Sequence, residues 1–267
     1  MTDRNLETAE PIKLERRGPI AIVTLCNPPL NVVTRPLTLA LERTVTHLGQ
    51  NDDIRAVVLT GEGPRAFCAG SDITEFAHDL DEGEIVANKL ALQNRVFSEL
   101  DSLPKPTIAA VSGLAFGGGL EIAICCDLLV ADSCSRFALP EIKLGVFPGS
   151  AGTIRVTRRV GEGRAKEMMF LGEPIDAATA LNWGLINRVV PDGQSLQAAL
   201  QLAGTLAARP RLALAKCKSI IDLAWEIPQE EAITRSMQAS DIVFRSAEKR
   251  EGVTAFLQKR APDFTTI

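Results

Sequence analysis

The residues best suited to chemistry fall in three short segments between positions 66 and 149. The densest is Phe116-Gly117-Gly118-Gly119-Leu120-Glu121-Ile122-Ala123-Ile124-Cys125-Cys126-Asp127. Three glycines follow a β-branched run and open an apolar helix, so free N–H groups collect at a helix start, where the dipole favours an anion. No Gly-Lys-Ser/Thr follows, and the spacing is not Gly-x-Gly-x-x-Gly, so a developing enolate oxygen fits better than a phosphate. A glycine turn that serves only tight helix packing reads equally well from these letters. Glu121 is the one charged residue between Gly117 and Asp127. A carboxylate among Leu, Ile, Ala and Cys is unfavourable unless paired or useful, and desolvation raises its pKa. The plainer alternative is a first-turn glutamate that complements the helix dipole.

Glu141 lies twenty residues on, in Phe137-Ala138-Leu139-Pro140-Glu141-Ile142-Lys143-Leu144-Gly145-Val146-Phe147-Pro148-Gly149. Pro140 fixes the local backbone, and Gly145, Pro148 and Gly149 mark a structured loop. Two carboxyls held near one substrate can divide acid and base roles, which adding water across a double bond requires. Taken alone, Glu141 serves as well as a partner for Lys143 or as a solvated charge. The third segment is Ala66-Phe67-Cys68-Ala69-Gly70-Ser71-Asp72-Ile73. Small residues at a strand end let a ligand approach the backbone closely, although an ordinary strand-to-helix turn has the same composition.

These segments need a frame. Strands are expected over 20–26, 54–60, 107–111 and 128–131, where apolar β-branched residues cluster. Between the first two, Leu37, Leu41, Val45 and Leu48 recur at helical spacing and form one apolar face. A helix over 86–103 is stopped by the Pro104-Lys105-Pro106 turn. The order predicts an α/β domain with repeated strand-to-helix crossovers. From about 161 the pattern turns helical, with a helix capped by Asp176 and Gly184 and three more over 210–225, 229–244 and 246–260.

Composition narrows the chemistry further. The chain has 267 residues, 46% of them hydrophobic, and a formal charge of −4, so it can bury a sizeable core and presents no basic stripe for nucleic acid. No run approaches the ~18 apolar residues of a membrane span, and the polar N-terminus reads as neither signal nor transit peptide. Six cysteines without a CxxC pair point to a reducing cytoplasm. The two histidines, His47 and His78, lack zinc-type spacing, and no Gly-x-Ser-x-Gly elbow is present. No metal is expected.

Together the three segments resemble the crotonase (enoyl-CoA hydratase/isomerase) superfamily. The likeness runs from Asn27-Pro28-Pro29-Leu30-Asn31 to Phe256-Leu257-Gln258-Lys259-Arg260. Its most specific pieces are CAGSDI at 68–73, FGGGLE at 116–121 and ALPEIKLGVFPG at 138–149. The resemblance implies an α/β spiral of ββα turns over 1–200, carrying the CoA and active sites. It also implies a helical C-terminal region over 201–267 for oligomerisation and CoA cover, and assembly as a homotrimer or a dimer of trimers. By the same resemblance, the N–H groups of Ser71 and Gly118 form an oxyanion hole. Glu121 and Glu141 hold a water between them, and Gly149 supplies a backbone donor that helps place it. Ala69, Asp72 and Ile73 fall where the family contacts the CoA adenine end, while Phe256 and Lys259 match a helix that covers CoA, often from the next subunit.

The implied activity is 2-enoyl-CoA hydration of the kind used in fatty acid β-oxidation, with an acyl-CoA substrate and no cofactor beyond the CoA it carries. A double-bond isomerase, a carnitinyl-CoA-type dehydratase and a non-catalytic acyl-CoA-binding protein are the alternatives. FALPEIKLG and ALNWGLINRVV also resemble carnitinyl-CoA dehydratases, which keep both glutamates. Thr74 stands where many hydratases carry lysine, and Pro28 fills another position that is often basic, which leaves Lys259 or Arg65 to meet the CoA phosphates. The family's glycine run after Gly149 reads Ser150-Ala151-Gly152 here, so the acyl pocket is expected to differ in shape.

Overall fold

In the computed structural model, residues 10–76 and 81–267 are described; His78 lies outside them. Two sheets carry the architecture. The larger has six strands in the order β1 (Ile12–Arg17), β2 (Ile20–Leu25), β3 (Ala56–Gly61), β5 (Thr107–Val111), β7 (Leu128–Asp132) and β10 (Arg188–Val190). The smaller has four, β4 (Ala66–Cys68), β6 (Leu114–Phe116), β8 (Arg136–Ala138) and β9 (Ile175–Asp176). The β1–β2 and β8–β9 pairs are antiparallel, and the remaining pairs are parallel.

The spiral is visible in the alternation. Each of β3–β4, β5–β6 and β7–β8 places one strand in each sheet and is followed by helical chain. After β2 comes α1 (Arg35–Gln50); after β4 comes α2 (Ala91–Asp101); after β6 comes α3 (Gly118–Ala123). Beyond β8 run α4 (Gly152–Val160) and α5 (Glu162–Leu171), with α6 (Ala177–Trp183) between β9 and β10. Then follow α7 (Ser195–Ala207), α8 (Arg211–Leu223), α9 (Gln229–Phe244) and α10 (Ala247–Leu257). The expected α/β class and ββα repeat are therefore present.

The central strands β3, β5 and β7 of the larger sheet are buried on both faces, which is why they read as unbroken apolar runs. Val57, Leu59, Ala109, Val111, Leu129 and Ala131 face the main core, together with Leu37, Leu41, Val45 and Leu48 of α1. The alternate residues Ala56, Val58, Ile108, Ala110 and Val130 meet Ala199, Ala203 and Ala207 of α7. Small alanines let α7 lie close to the sheet. Thr34 caps α1 by accepting from Leu37 N, and Asp176 caps α6 by accepting from Thr179 N at 2.8 Å. Gly184 ends α6 in the left-handed region at φ 81°, as its position suggested.

One departure from expectation and one open surface bear on the site. The 86–103 helix is divided: Val86–Leu90 is π-helical, and the α-helix begins at Ala91. Asn94 Nδ2 donates to Leu90 O at that junction, at 2.9 Å. The C-terminal helices α8 and α9 have no buried residue in the single chain, and Trp225, Phe244, Phe256 and Leu257 all stand open. Among the described residues no helix is long and apolar enough to cross a membrane.

Candidate active site

The glycines of the FGGGLE segment each meet a different neighbour. Gly117 precedes α3 at φ 48°, and a Cβ there would come 3.0 Å from Glu141 Oε1. The same point on Gly118 would lie 3.0 Å from Ser71 Oγ and 3.5 Å from Ser71 N. On Gly119 it would sit 2.1 Å from Cys68 O, so this glycine is required for α3 to reach β4. The glycine run is thus both a packing device and the meeting point of Ser71, Gly118 and Glu141.

Two backbone N–H groups converge here. Gly118 is the first residue of α3, and its N–H has no partner within the helix. Ser71 is held by a parallel bridge to Val33: Val33 N donates to Gly70 O at 2.8 Å, and Asp72 N donates to Val33 O at 2.9 Å. Because N–H groups alternate sides along extended backbone, this bridge leaves the Ser71 N–H off the Val33 side, and Ser71 N lies 3.5 Å from where a Cβ on Gly118 would sit.

Glu121, one turn into α3, is 3% exposed. Its Oε1 accepts from Ser150 N at 2.8 Å and from Gly152 N at 2.9 Å. Burial drives its pKa up, and the N–H groups of Gly152 and Ser150, with the charge of Arg155, oppose that rise. Glu141 opens the 3-10 turn Pro140–Leu144. Its Oε2 is buried and has no hydrogen-bond partner among the described residues. Burial pushes its carboxyl up to about 7, and the nearby Glu121 charge adds to the rise. One carboxylate is held by donors and the other presents a bare oxygen.

Gly149 lies beside this pair. Its carbonyl accepts from Asn94 Nδ2 at 2.9 Å, and a Cβ there would strike Leu90 Cδ2 at 2.8 Å. The structure therefore brings together Glu121, Glu141, Gly118, Ser71 and, through Ser150, Gly149. Ala69 and Asp72 flank Ser71; Ala69 N donates to Leu30 O at 3.0 Å, and Asp72 Oδ1 accepts from Thr74 N at 3.0 Å and Thr74 Oγ1 at 2.7 Å. Ile73 is exposed on the same loop. Phe256 and Lys259 are not tied to this group: Phe256 is 82% exposed near the end of α10, and Lys259 follows the helix at φ 54°.

Sequence reasoning missed a second layer. Ser150 Oγ donates to Gln93 Oε1 at 2.9 Å, and both residues are buried. Arg155 reaches Asp101 Oδ2 at 2.9 Å, Ser98 Oγ at 3.1 Å and Ser150 O at 3.4 Å. No group of three or more His, Cys, Asp or Glu suited to a metal occurs among the described residues.

The enoyl-CoA hydratase/isomerase family model matches residues 15–266. The chain is 35% identical over 249 residues to a short-chain-enoyl-CoA hydratase of Clostridium acetobutylicum, covering 92% of this chain and 94% of the relative. It is 35% identical to a 2,3-dehydroadipyl-CoA hydratase of Escherichia coli, covering 94% and 97%. Among solved structures, an enoyl-CoA hydratase from Bacillus anthracis superposes with a TM-score of 0.91 at 30% identity, over 96% of this chain and all of that one.

Proposed function

The chain belongs to the enoyl-CoA hydratase/isomerase family, and we propose that it adds water reversibly to trans-2-enoyl-CoA thioesters, giving 3-hydroxyacyl-CoA. It is a hydro-lyase. The observation that carries this reading is the contrast between its two glutamates: Oε1 of Glu121 is held by two backbone N–H groups, whereas Oε2 of Glu141 is buried and unpartnered.

The thioester oxygen accepts from Ser71 N–H and Gly118 N–H. As charge builds on that oxygen, Cβ becomes electrophilic; one such donor is worth about 10²–10³ in rate. A water lies between the carboxyls, helped into place by the Gly149 backbone. Glu121 takes its proton as hydroxide adds to Cβ, and Glu141 donates a proton to Cα, collapsing the enolate. The reverse sequence dehydrates. Glu141, with a pKa of about 7, holds its proton for part of the time at neutral pH, as an acid must. Burial raises the Glu121 pKa, which suits a proton acceptor, while the N–H clamp and Arg155 oppose that rise and steady its ionised form. CoA arrives as part of the substrate, and the steps as written use no prosthetic group. An isomerase needs one carboxylate to shuttle a proton, so two unlike carboxyls beside one oxyanion hole favour hydration.

The open apolar faces of α8 to α10 support assembly into a trimer or a dimer of trimers, in which Phe256 and Lys259 would cover CoA. Ala69, Asp72 and Ile73 would line its adenine end. The free cysteines favour a cytoplasmic setting.

The test is loss of the conjugated-thioester absorbance of crotonyl-CoA with wild type, Glu121→Gln and Glu141→Gln. Hydration by the wild type, with each variant slower by about 10²–10⁴-fold, is expected. A sample that binds CoA esters but turns over no 2-enoyl chain would remove the reading in favour of isomerisation or binding alone.

A further inference from the structure

Two consecutive residues of α2 grip two consecutive residues of the loop that holds Glu121. Asn94 Nδ2 donates to Gly149 O at 2.9 Å, and Gln93 Oε1 accepts from Ser150 Oγ at 2.9 Å. Gly149 C=O and Ser150 N–H are the two ends of one peptide unit, which is planar. That same N–H donates to Glu121 Oε1 at 2.8 Å. The bond from Asn94 therefore acts on Glu121 through a rigid plane, and Gln93 fixes the same residue by its side chain. Asn94's other bond, to Leu90 O, sets the orientation of its amide. Gln93 and Ser150 are 3% and 2% exposed, so neither has water as a substitute partner.

Buried polar groups find partners in any fold. What distinguishes these is convergence: the Asn94 bond ends on the peptide that donates to Glu121, where bonds in series polarise one another, and the Gln93 bond ends on the side chain of the residue that carries that N–H.

We propose that Gln93 and Asn94 are positioning residues of the hydration site, holding the 149–150 peptide and Ser150 in the orientation that serves Glu121. This rests on the reading of Glu121 as the base. Neither residue is assigned a contact with substrate; Asn94 acts through the peptide and Gln93 through the Ser150 side chain. The other groups facing Glu121 are Arg155 from α4, whose charge favours ionisation, Glu141 across the site, and Cys125 in the turn that follows α3. Asp101 bears on it through its ion pair with Arg155.

The test compares Gln93→Met, Asn94→Leu and Ser150→Ala with wild type and Glu121→Gln on crotonyl-CoA, across pH. Weakening the Ser150 N–H bond disfavours the ionised base, so kcat should fall about two- to tenfold while KM stays within about twofold, and the acid limb of kcat should move up by about 0.5–1 pH unit. The carboxyl-carbon resonance of Glu121, identified by its loss in Glu121→Gln, should titrate higher by the same amount in enzyme labelled with ¹³C-glutamate. Three variants touch different atoms, and Ser150→Ala removes only one oxygen, so misfolding of one leaves the others to decide. Folded variants with the wild-type acid limb and Glu121 titration overturn the inference, even if they melt earlier, while a slow Glu121→Gln keeps the hydratase reading standing. A Glu121→Gln enzyme as fast as wild type removes that reading, and the positioning role with it.

Discussion

Replacing Glu141 by Gln removes a carboxyl that the fold holds in an unfavourable place, and the effect on stability can be worked out from its pKa. The group's ordinary value is 4.5, and burial lifts it to about 7 in the folded chain. Between those values the folded state binds more protons than the unfolded one, so stability falls as pH rises through the window and stays reduced above it. The full shift corresponds to about 3 kcal/mol, of which about 2 kcal/mol develops between pH 5 and pH 8. Glutamine has no such dependence. Its own packing and hydrogen-bond differences add a constant at both pH values, so the change in the gap between variant and wild type isolates the carboxyl. Relief of repulsion on Glu121 acts in the same direction. Thermal melts at equal protein concentration measure it: at about 2–4 °C per kcal/mol, the melting temperature of Glu141→Gln relative to wild type should rise by about 4–8 °C on going from pH 5 to pH 8. A gap that is constant or shrinks with pH would show that Glu141 is not held near neutrality, and its assignment as the proton donor would lose its physical basis.

The same group sets the alkaline side of catalysis. Hydration measured as kcat/KM should decline above about pH 7 as Glu141 loses its proton, and a profile flat to pH 9 would contradict this. Adjacent glycines should separate activity from folding. A methyl on Gly118 points at Ser71, 3.0 Å from Oγ and 3.5 Å from N, so Gly118→Ala should lower kcat/KM by about 10² or more and leave the melt within a few degrees. A methyl on Gly119 would sit 2.1 Å from Cys68 O, so Gly119→Ala should lower stability by about 1–3 kcal/mol or more, seen as an earlier melt or loss of soluble protein.

The strands that could be read from sequence were those buried on both faces. The runs at 20–26, 54–60, 107–111 and 128–131 correspond to β2, β3, β5 and β7. β1 escaped because five of its six residues are exposed, and IKLERR alternates apolar and polar residues only over 12–15. β4, β6 and β8 are three residues each, too short for any pattern, yet β4 and β6 deliver Ser71 and the glycine run. Of the site, Glu121 and the glycines declared themselves through composition. The pairing with Glu141 and the donor role of Ser71 came only from resemblance, since a backbone N–H leaves no mark in side-chain identity. Gln93 and Asn94 left no trace, because they lie 57 and 55 residues from their partners and polar residues on a helix usually face water.

What the sequence does not contain at all is the difference between the two glutamates. Both stand in apolar surroundings, and desolvation raises both. The asymmetry arises because the loop after Pro148 turns back and aims two successive donors, Ser150 N and Gly152 N, at one oxygen of Glu121. Ala151 sits between them at φ 66°, a left-handed conformation that a residue with a Cβ rarely adopts. Gly152 must lack a side chain, since a Cβ would come 2.8 Å from the same Glu121 oxygen. The turn that gives Glu121 its two donors is thus held in a strained conformation at Ala151 and gripped from outside by α2. A short loop, rather than either glutamate's own neighbours in sequence, decides which carboxyl is held by backbone donors and which keeps a bare oxygen.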